Sequence, residues 1–390
     1  MSLLCLPPLS LYIHIPWCIK KCPYCDFNSH THHQIPEEKY VERLKNDIDQ
    51  EILWYTSKDI KPRKFHSIFF GGGTPSLFSA QAIEKILHYA EKKIGFESNI
   101  EITLEANPGT FEQNKFSGYH SAGINRLSIG IQSFNEQQLH KLGRIHSAKE
   151  AQKAVNIAQK AGFQRINLDL MHGLPEQTIE AAQHDLHMAI DLSPQHISWY
   201  QLTIEPNTVF YRQPPPLPND DILADIQHHG QQLLESHDFT QYEISAFSQS
   251  TEQARHNVNY WQFGDYMGIG AGAHGKWTDT CGQSIIRRQK TRLPEHYLQK
   301  TGTSAPINVK QHTIATSELA LEFMMNALRL NNGIARQLFT QRTGLDDSAI
   351  ADKVNTLQQQ GLLENNSERL KATPMGQRFL NSVLANFDQP

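Results

Sequence analysis

No apolar run in this chain of 390 residues approaches the roughly 20 needed to cross a bilayer as a helix, so a helical membrane span is not expected. Met1 to Pro8 lacks the charged start and small-residue cleavage site of a secretory signal, which predicts a cytoplasmic location. Positive charge is short as well: 36 Lys and Arg face 40 Asp and Glu, for a formal net charge of −4. No broad basic field is left to hold a phosphate backbone, and no nucleic-acid partner is expected. Cysteine is scarce, and the odd, clustered set of five does not suit a disulfide framework. What remains is an ordinary globular composition, 39% hydrophobic and 19% charged, long enough for a large α/β domain plus a smaller one.

Three of the five cysteines fall within eight residues, in Ile13-His-Ile-Pro-Trp-Cys-Ile-Lys-Lys-Cys-Pro-Tyr-Cys-Asp-Phe-Asn28. Cys18, Cys22 and Cys25 are spaced C-x3-C-x2-C, while Cys5 and Cys281 read as bystanders. A structural zinc site takes four protein ligands and a disulfide takes two, so a tight trio points to a metal centre with an open corner. A 4Fe-4S cluster suits it, because three thiolates leave one iron free to chelate the amine and carboxylate of a small molecule. The alternative is a zinc knuckle completed by His14, His30, His32 or His33.

Short β-rich runs recur at Leu11 to Ile15, Ser67 to Phe70, Ile100 to Leu104, Arg126 to Ile131, Ile166 to Met171 and His196 to Leu202. Helical patterns follow several of them, at Pro36 to Leu53, Ala80 to Lys93, Ala148 to Lys160, Ile179 to Asp191 and Asp221 to Ser236. This alternation predicts βαβ units and a parallel sheet, hence an α/β fold with an incomplete (β/α)6 barrel over 1–277. After about Thr278 the rhythm stops, and 278–390 reads as a smaller, mainly α domain. Helices at Ser317 to Leu330, Ile334 to Arg342 and Asp347 to Gln360, with a ribbon from Gly361–Leu363 and Arg369–Ala372, give it a winged-helix-like pattern. A packing role without nucleic acid is expected for it.

In such a barrel the chemistry gathers at the strands' C-terminal ends. Strand one runs into the cysteine loop and strand two into Gly71-Gly72-Gly73-Thr74-Pro75, where missing side chains would let a ligand lie against backbone. Glu105 ends strand three, a carboxylate suited to ribose hydroxyls or an ammonium. Gln132, Arg144 and Asp169 add donors and acceptors around the same opening. The bland reading of each is a surface or capping polar residue.

The cysteine spacing resembles that of the radical S-adenosylmethionine (SAM) superfamily, which implies that SAM occupies the open iron as an exchangeable ligand and that a reduced cluster can cleave its sulfonium to a 5′-deoxyadenosyl radical. Together, Tyr12-Ile-His-Ile-Pro16, Gly71-Gly-Gly-Thr-Pro-Ser76, Gly130-Ile-Gln-Ser-Phe134 and Asn167-Leu-Asp-Leu-Met-His-Gly-Leu-Pro175 resemble the oxygen-independent coproporphyrinogen III oxidase family over essentially the whole chain. That resemblance implies an incomplete radical SAM barrel with room for two SAM molecules. Tyr12, Gly72 and Glu105 would contact the first, and Tyr24, Gly73, Thr74, Gln132, Arg144 and Asp169 the second.

Two departures speak against the decarboxylating oxidase: Phe27 stands where its motif has a fourth cysteine, and only eleven residues precede Tyr12. His256-Asn257-Val-Asn-Tyr260-Trp261 instead resembles the signature of the family's haem-chaperone branch. An imidazole can ligate haem iron, and the two aromatics can face a porphyrin, so His256, Tyr260 and Trp261 are the expected haem contacts. The bland reading packs Tyr260 and Trp261 on the barrel and makes His256 and Asn257 turn caps. The resemblance implies haem delivery to an acceptor haemoprotein, such as a membrane respiratory enzyme, with peripheral membrane contact during delivery. A homodimer is left open. Coproporphyrinogen III oxidation is the runner-up, and a zinc-stabilised binding protein the third reading.

Overall fold

A computed structural model describes residues 4–32, 34–299 and 310–388. Six strands alternate with crossover segments in the expected order: β1 (Leu9–Ile15), β2 (Phe65–Gly72), β3 (Phe96–Ala106), β4 (Arg126–Gln132), β5 (Ile166–His172) and β6 (His196–Gln201). Adjacent strands in this set pair in parallel. Their middles are buried on both faces, which is why they read as near-continuous apolar runs rather than alternating ones.

The crossover helices α1 (Glu37–Thr56), α2 (Ala80–Lys93), α3 (Ala148–Lys160), α4 (Ile179–Asp191) and α5 (Asp220–Ser236) lie close to their predicted bounds. Sequence fixes several of their starts directly. The side chains of Ser79, Ser147, Thr178 and Asn219 accept backbone N–H groups of the first turns of α2 to α5, and Ser147 completes a capping box with Glu150. On α1 the stripe Tyr40, Val41, Leu44 and Ile48 is fully buried against the sheet.

The barrel does not close. Two antiparallel strands, β7 (Thr240–Glu243) and β8 (Ala246–Ser248), extend the sheet beyond β6. A short helix α6 (Arg255–Trp261) follows, and the chain returns as β9 (Asp265–Ile269), parallel to β1. Strands β10 (His274–Asp279), β11 (Ser284–Gln289) and β12 (Lys310–Thr313) then add antiparallel. The resulting twelve-stranded order is β12-β11-β10-β9-β1-β2-β3-β4-β5-β6-β8-β7. The 277/278 division expected from the sequence therefore falls inside β10. The strand–helix rhythm stops there because antiparallel strands need no crossover helix, while the sheet itself runs on.

Helices α7 (Leu319–Ala327), α8 (Gln337–Thr343) and α9 (Ser348–Gln359) build the C-terminal module. Its core, with Phe323, Phe339, Ile350 and Leu357, continues into Tyr242, Phe263 and Ile285 of the main body. The helix expected from Ile334 begins later, because Ile334–Ala335 pairs antiparallel with Arg369–Leu370 as a ribbon, and Leu363 bridges Ala372. A winged-helix-like arrangement of three helices and a small ribbon results. Among the described residues no helix is long and apolar enough to cross a membrane.

A buried ionic cluster locks the antiparallel extension onto α1. Lys290, just past β11, donates to Asp47 (2.6 Å) and to Glu51; Arg288 also donates to Glu51 (2.9 Å), and the Tyr297 hydroxyl donates to Asp47 (2.7 Å). Removing one charge from such a cluster strands its partners in low dielectric. Lys290→Met should therefore destabilise the protein by about 3 to 5 kcal/mol in urea unfolding. A loss below about 1 kcal/mol would show that Arg288 and Tyr297 suffice for both carboxylates.

Candidate metal and cofactor centre

Past β1 the chain makes a two-residue ribbon, Trp17–Cys18 pairing with His30–Thr31, and the cysteine loop hangs between its arms. Trp17 anchors it, 1% exposed, with its ring edge-on to Tyr40 at 4.7 Å and stacked on Phe78 at 6.2 Å. Cys18 is buried, Cys22 and Cys25 half-buried, and all three open onto one cavity of about 370 Å³. Each sulfur has a polar neighbour: the Thr74 hydroxyl donates to Cys18 at 3.5 Å, Arg144 Nη1 donates to Cys22 at 3.6 Å, and Ser29 Oγ lies 3.8 Å from Cys25. Burial pushes the Cys18 and Cys25 thiols up, while Thr74 and Ser29 pull them down. A bound metal would reverse the balance, since a coordinating thiol is deprotonated.

The zinc alternative fares poorly on the histidines. Both His14 nitrogens are engaged, Nδ1 with the Tyr12 hydroxyl (3.0 Å) and Nε2 with the Asn28 carbonyl (2.9 Å). His30 Nε2 meets Asn28 Oδ1 at 3.3 Å, and His32 Nδ1 accepts the Gln34 N–H. His33 lies outside the described residues. Among the described residues no three His, Cys, Asp or Glu side chains converge tightly enough to surround a single ion. Three sulfurs facing a common cavity, each with its own polar neighbour, fit a cluster that meets each at a separate corner.

The triglycine turn packs directly on this loop. Gly73 N–H donates to the Ile15 carbonyl (2.7 Å) and Thr74 N–H to the Trp17 carbonyl (2.8 Å). A Cβ at Gly73 would sit 2.5 Å from the Trp17 carbonyl oxygen, and one at Gly72, whose φ is +116°, would strike the His14 ring at 2.6 Å. The glycines are thus required by the chain's own close approach as well as by any ligand.

Beyond the turn, the strand mouths supply polar groups. The Gly72 N–H donates to Glu105 at 3.2 Å. Gln132 has a φ of +69° where the β4–β5 register slips between Gly130 and Gln132, a bulge that re-aims its side chain; its Oε1 accepts the Tyr200 hydroxyl at 3.2 Å. Asp169 accepts from Ser128 and Asn167, each at 2.8 Å. Arg144 Nη2 donates to Asn107 Oδ1 and to the Gly130 carbonyl, both at 2.7 Å, leaving its buried Nε without a partner among the described residues. Asn107 in turn donates to Thr74 Oγ1 at 3.2 Å. One chain of hydrogen bonds therefore links Cys18 to Cys22 through Thr74, Asn107 and Arg144.

Of the expected SAM contacts, Tyr24, Gly72, Gly73, Thr74, Glu105, Gln132, Arg144 and Asp169 line the cysteine cavity. Tyr12 does not; it lines a neighbouring cavity of about 480 Å³ that shares Phe27, Gly72 and Glu105 with the first. Sequence reasoning missed Asn107, Tyr200 and Ser29. Their signal was only position, at a strand mouth or beside the cysteines.

The three expected haem contacts separate. Helical spacing puts His256 and Tyr260 on one face of α6, and Tyr260 lines the Tyr12 cavity. His256, however, is 3% exposed, its ring stacked on Phe69 at 4.8 Å and edge-on to Tyr260 at 4.6 Å, so burial pushes its pKa down to about 3 and keeps it neutral. Covered this way, it is not presented as a haem ligand. Trp261 turns to the C-terminal core, with the Arg329 guanidinium 4.4 Å from its ring. On α5 His228 is exposed and His229 half-buried.

Burial, then the neighbouring Asp169, pushes the Glu105 carboxyl up to about 8 against the pull of the Gly72 N–H. The folded protein keeps this proton over a pH range in which an unfolded glutamate has lost it. Folding stability should therefore fall as pH rises from the ordinary glutamate range to about 8, and level off beyond. Glu105→Gln should flatten that slope in pH-dependent denaturation; an unchanged slope would show that Glu105 is ionised at neutral pH.

Residues 12–189 match the family model of the radical SAM superfamily, and residues 315–379 that of the HemN C-terminal domain. The haem chaperone HemW of Haemophilus influenzae is 51% identical over 383 residues, 98% of each chain. HemW of Escherichia coli is 46% identical over the same share of both chains, and HemW of Bacillus subtilis is 32% identical over 97% of this chain and 98% of its own. Among solved structures, coproporphyrinogen III oxidase (HemN) of Escherichia coli superposes with a TM-score of 0.80 at 21% identity, over 98% of this chain and 91% of that one, a likeness of fold. Barrel, cysteine loop, C-terminal module and full-length similarity agree: the chain belongs to the HemW family of radical SAM proteins.

Proposed function

We propose that this chain is a haem carrier that holds a 4Fe-4S cluster on Cys18, Cys22 and Cys25, binds SAM beside it, and passes haem to an acceptor haemoprotein. The observation that carries the reading is the pair of adjoining cavities, one lined by the three cysteines and the other by Tyr12, Tyr260 and Tyr266, with Phe27, Gly72 and Glu105 as their common wall. The similarity to HemW chains over 98% of the sequence supports haem as the cargo.

When bound, the cluster supplies an iron with a free position for the amino and carboxylate groups of SAM, and an electron when reduced. The protein's own contribution is electrostatic. Thr74 donates towards Cys18, which favours thiolate over thiol there, and Arg144 donates to Cys22. Asp169 and Glu105 offer acceptors for ribose hydroxyls or an ammonium, and Gln132 and Tyr24 complete the cavity wall. One SAM in the cysteine cavity satisfies these groups.

Phe27 argues against the oxidase. It stands where the oxidase pattern has a cysteine and is 63% exposed, offering an apolar face in place of a sulfur. The acceptor is proposed to be a haemoprotein of a membrane respiratory complex, met at the membrane surface. The C-terminal module is proposed as packing and docking structure rather than a nucleic-acid reader.

Haem-loaded protein mixed with an apo-haemoprotein should lose its haem spectrum as the acceptor's grows, faster than free haem transfers under the same conditions. The reduced, SAM-supplied protein should leave coproporphyrinogen III unchanged. Formation of protoporphyrinogen with no transfer would overturn the carrier reading in favour of the oxidase.

A further inference from the structure

Besides Tyr12, Gly72 and Glu105, which were expected to contact SAM, the Tyr12 cavity is lined by residues with no SAM role. Its walls are aromatic: Tyr12, Tyr260 and Tyr266, the last two edge-to-face at 4.4 Å, with Phe27 closing the side towards the cysteines. Buried aromatic pairs are ordinary core, but Phe27 is 63% exposed, so packing does not account for it. At the mouth stand Arg292 and His274. Among the described residues the Arg292 guanidinium makes no ion pair or hydrogen bond, although its backbone carbonyl accepts from Asn28 (2.9 Å). Arg287, nearby in the chain, differs in being tied to Glu322 and to the Tyr266 hydroxyl.

Among the described residues Glu105 is the single carboxylate of the lining, and burial pushes its pKa up to about 8, which favours the neutral form near pH 7. His274 is held neutral by burial and by the cations around it. The cavity therefore combines flat ring faces, one uncommitted guanidinium and no opposing negative charge. That combination suits a planar, apolar ligand carrying carboxylates, with the ring against the aromatics and a carboxylate on the arginine.

We propose that this cavity is the porphyrin site of the carrier, and that Arg292 at its mouth clamps a propionate while Phe27 and Tyr260 face the macrocycle. The assignment rests on the haem-carrier reading and places the cargo directly against the wall shared with the cysteine cavity. It locates recognition in ring faces and a carboxylate clamp rather than in iron ligation by the covered His256.

Metal-free protoporphyrin IX removes iron ligation from the measurement, and its dimethyl ester masks the carboxylates. In fluorescence titrations of the cluster-reconstituted protein, the free acid should bind at least about tenfold tighter than the ester, the size expected of one charge-assisted hydrogen bond. Arg292→Ala should abolish that preference by weakening the acid and sparing the ester, and Arg292→Lys should restore part of it. SAM affinity should be unchanged in both variants. Intact discrimination in Arg292→Ala would remove the clamp while leaving the carrier reading standing. Weaker SAM with undiminished porphyrin would assign the arginine to the SAM carboxylate instead, and overturn the proposal. No binding of either porphyrin to the parent protein would sink the carrier reading itself.

Discussion

Everything at the candidate centre depends on the parallel register of β1 with β2. Ile13 lies opposite Phe70, His14 opposite Gly71 and Ile15 opposite Gly72, so the cysteine loop and the triglycine turn leave the sheet side by side. Two further backbone bonds, Gly73 to Ile15 and Thr74 to Trp17, carry the ladder past the strand ends. A slip of one residue would reverse the faces of every side chain on β1 and swing the cysteines away from Thr74. The glycines matter because no other residue tolerates that approach.

From this join the network spreads by hydrogen bonds rather than by packing. Thr74 reaches Cys18, Asn107 reaches Thr74, and Arg144 spans Asn107, Gly130 and Cys22. Loops after β1, β2, β3 and β4 are thereby held in one arrangement by donors and acceptors that pair with one another, with the Arg144 Nε left over, and such pairing stiffens a polar site in low dielectric. Opposite them, burial and then Asp169 raise the cost of charge on Glu105, and burial does the same for Asp169. The cavity thus sets Arg144, with Lys20 and Lys21 in the same wall, against the two carboxylates Glu105 and Asp169, and burial favours the neutral form of Glu105.

Much of this was legible in the sequence. Buried parallel strands announce themselves as apolar runs, and their mouths follow once the run ends are known; the three cysteines, Thr74, Gln132, Arg144 and Asp169 were found that way and line one cavity. What stayed hidden depends on tertiary contacts. Asn107 and Tyr200 look like any polar loop residue or strand aromatic until Arg144 and Gln132 are placed beside them. His256 and Tyr260 share a face of a short helix that the sequence reading did not expect, and the sequence could not say that Phe69 covers the imidazole or that Trp261 belongs to the second core. The 277/278 division misled for a similar reason, since antiparallel strands continue the sheet without the helical punctuation that marks βα units.

The most direct test of the central claim is electron paramagnetic resonance of the reduced, anaerobically reconstituted protein, recorded with and without SAM and paired with metal analysis. A site-differentiated cluster predicts about four iron per chain and a spectrum that shifts when SAM takes the free iron. Stoichiometric zinc in place of iron, or a cluster signal indifferent to SAM, would contradict the three-thiolate centre on which the account stands.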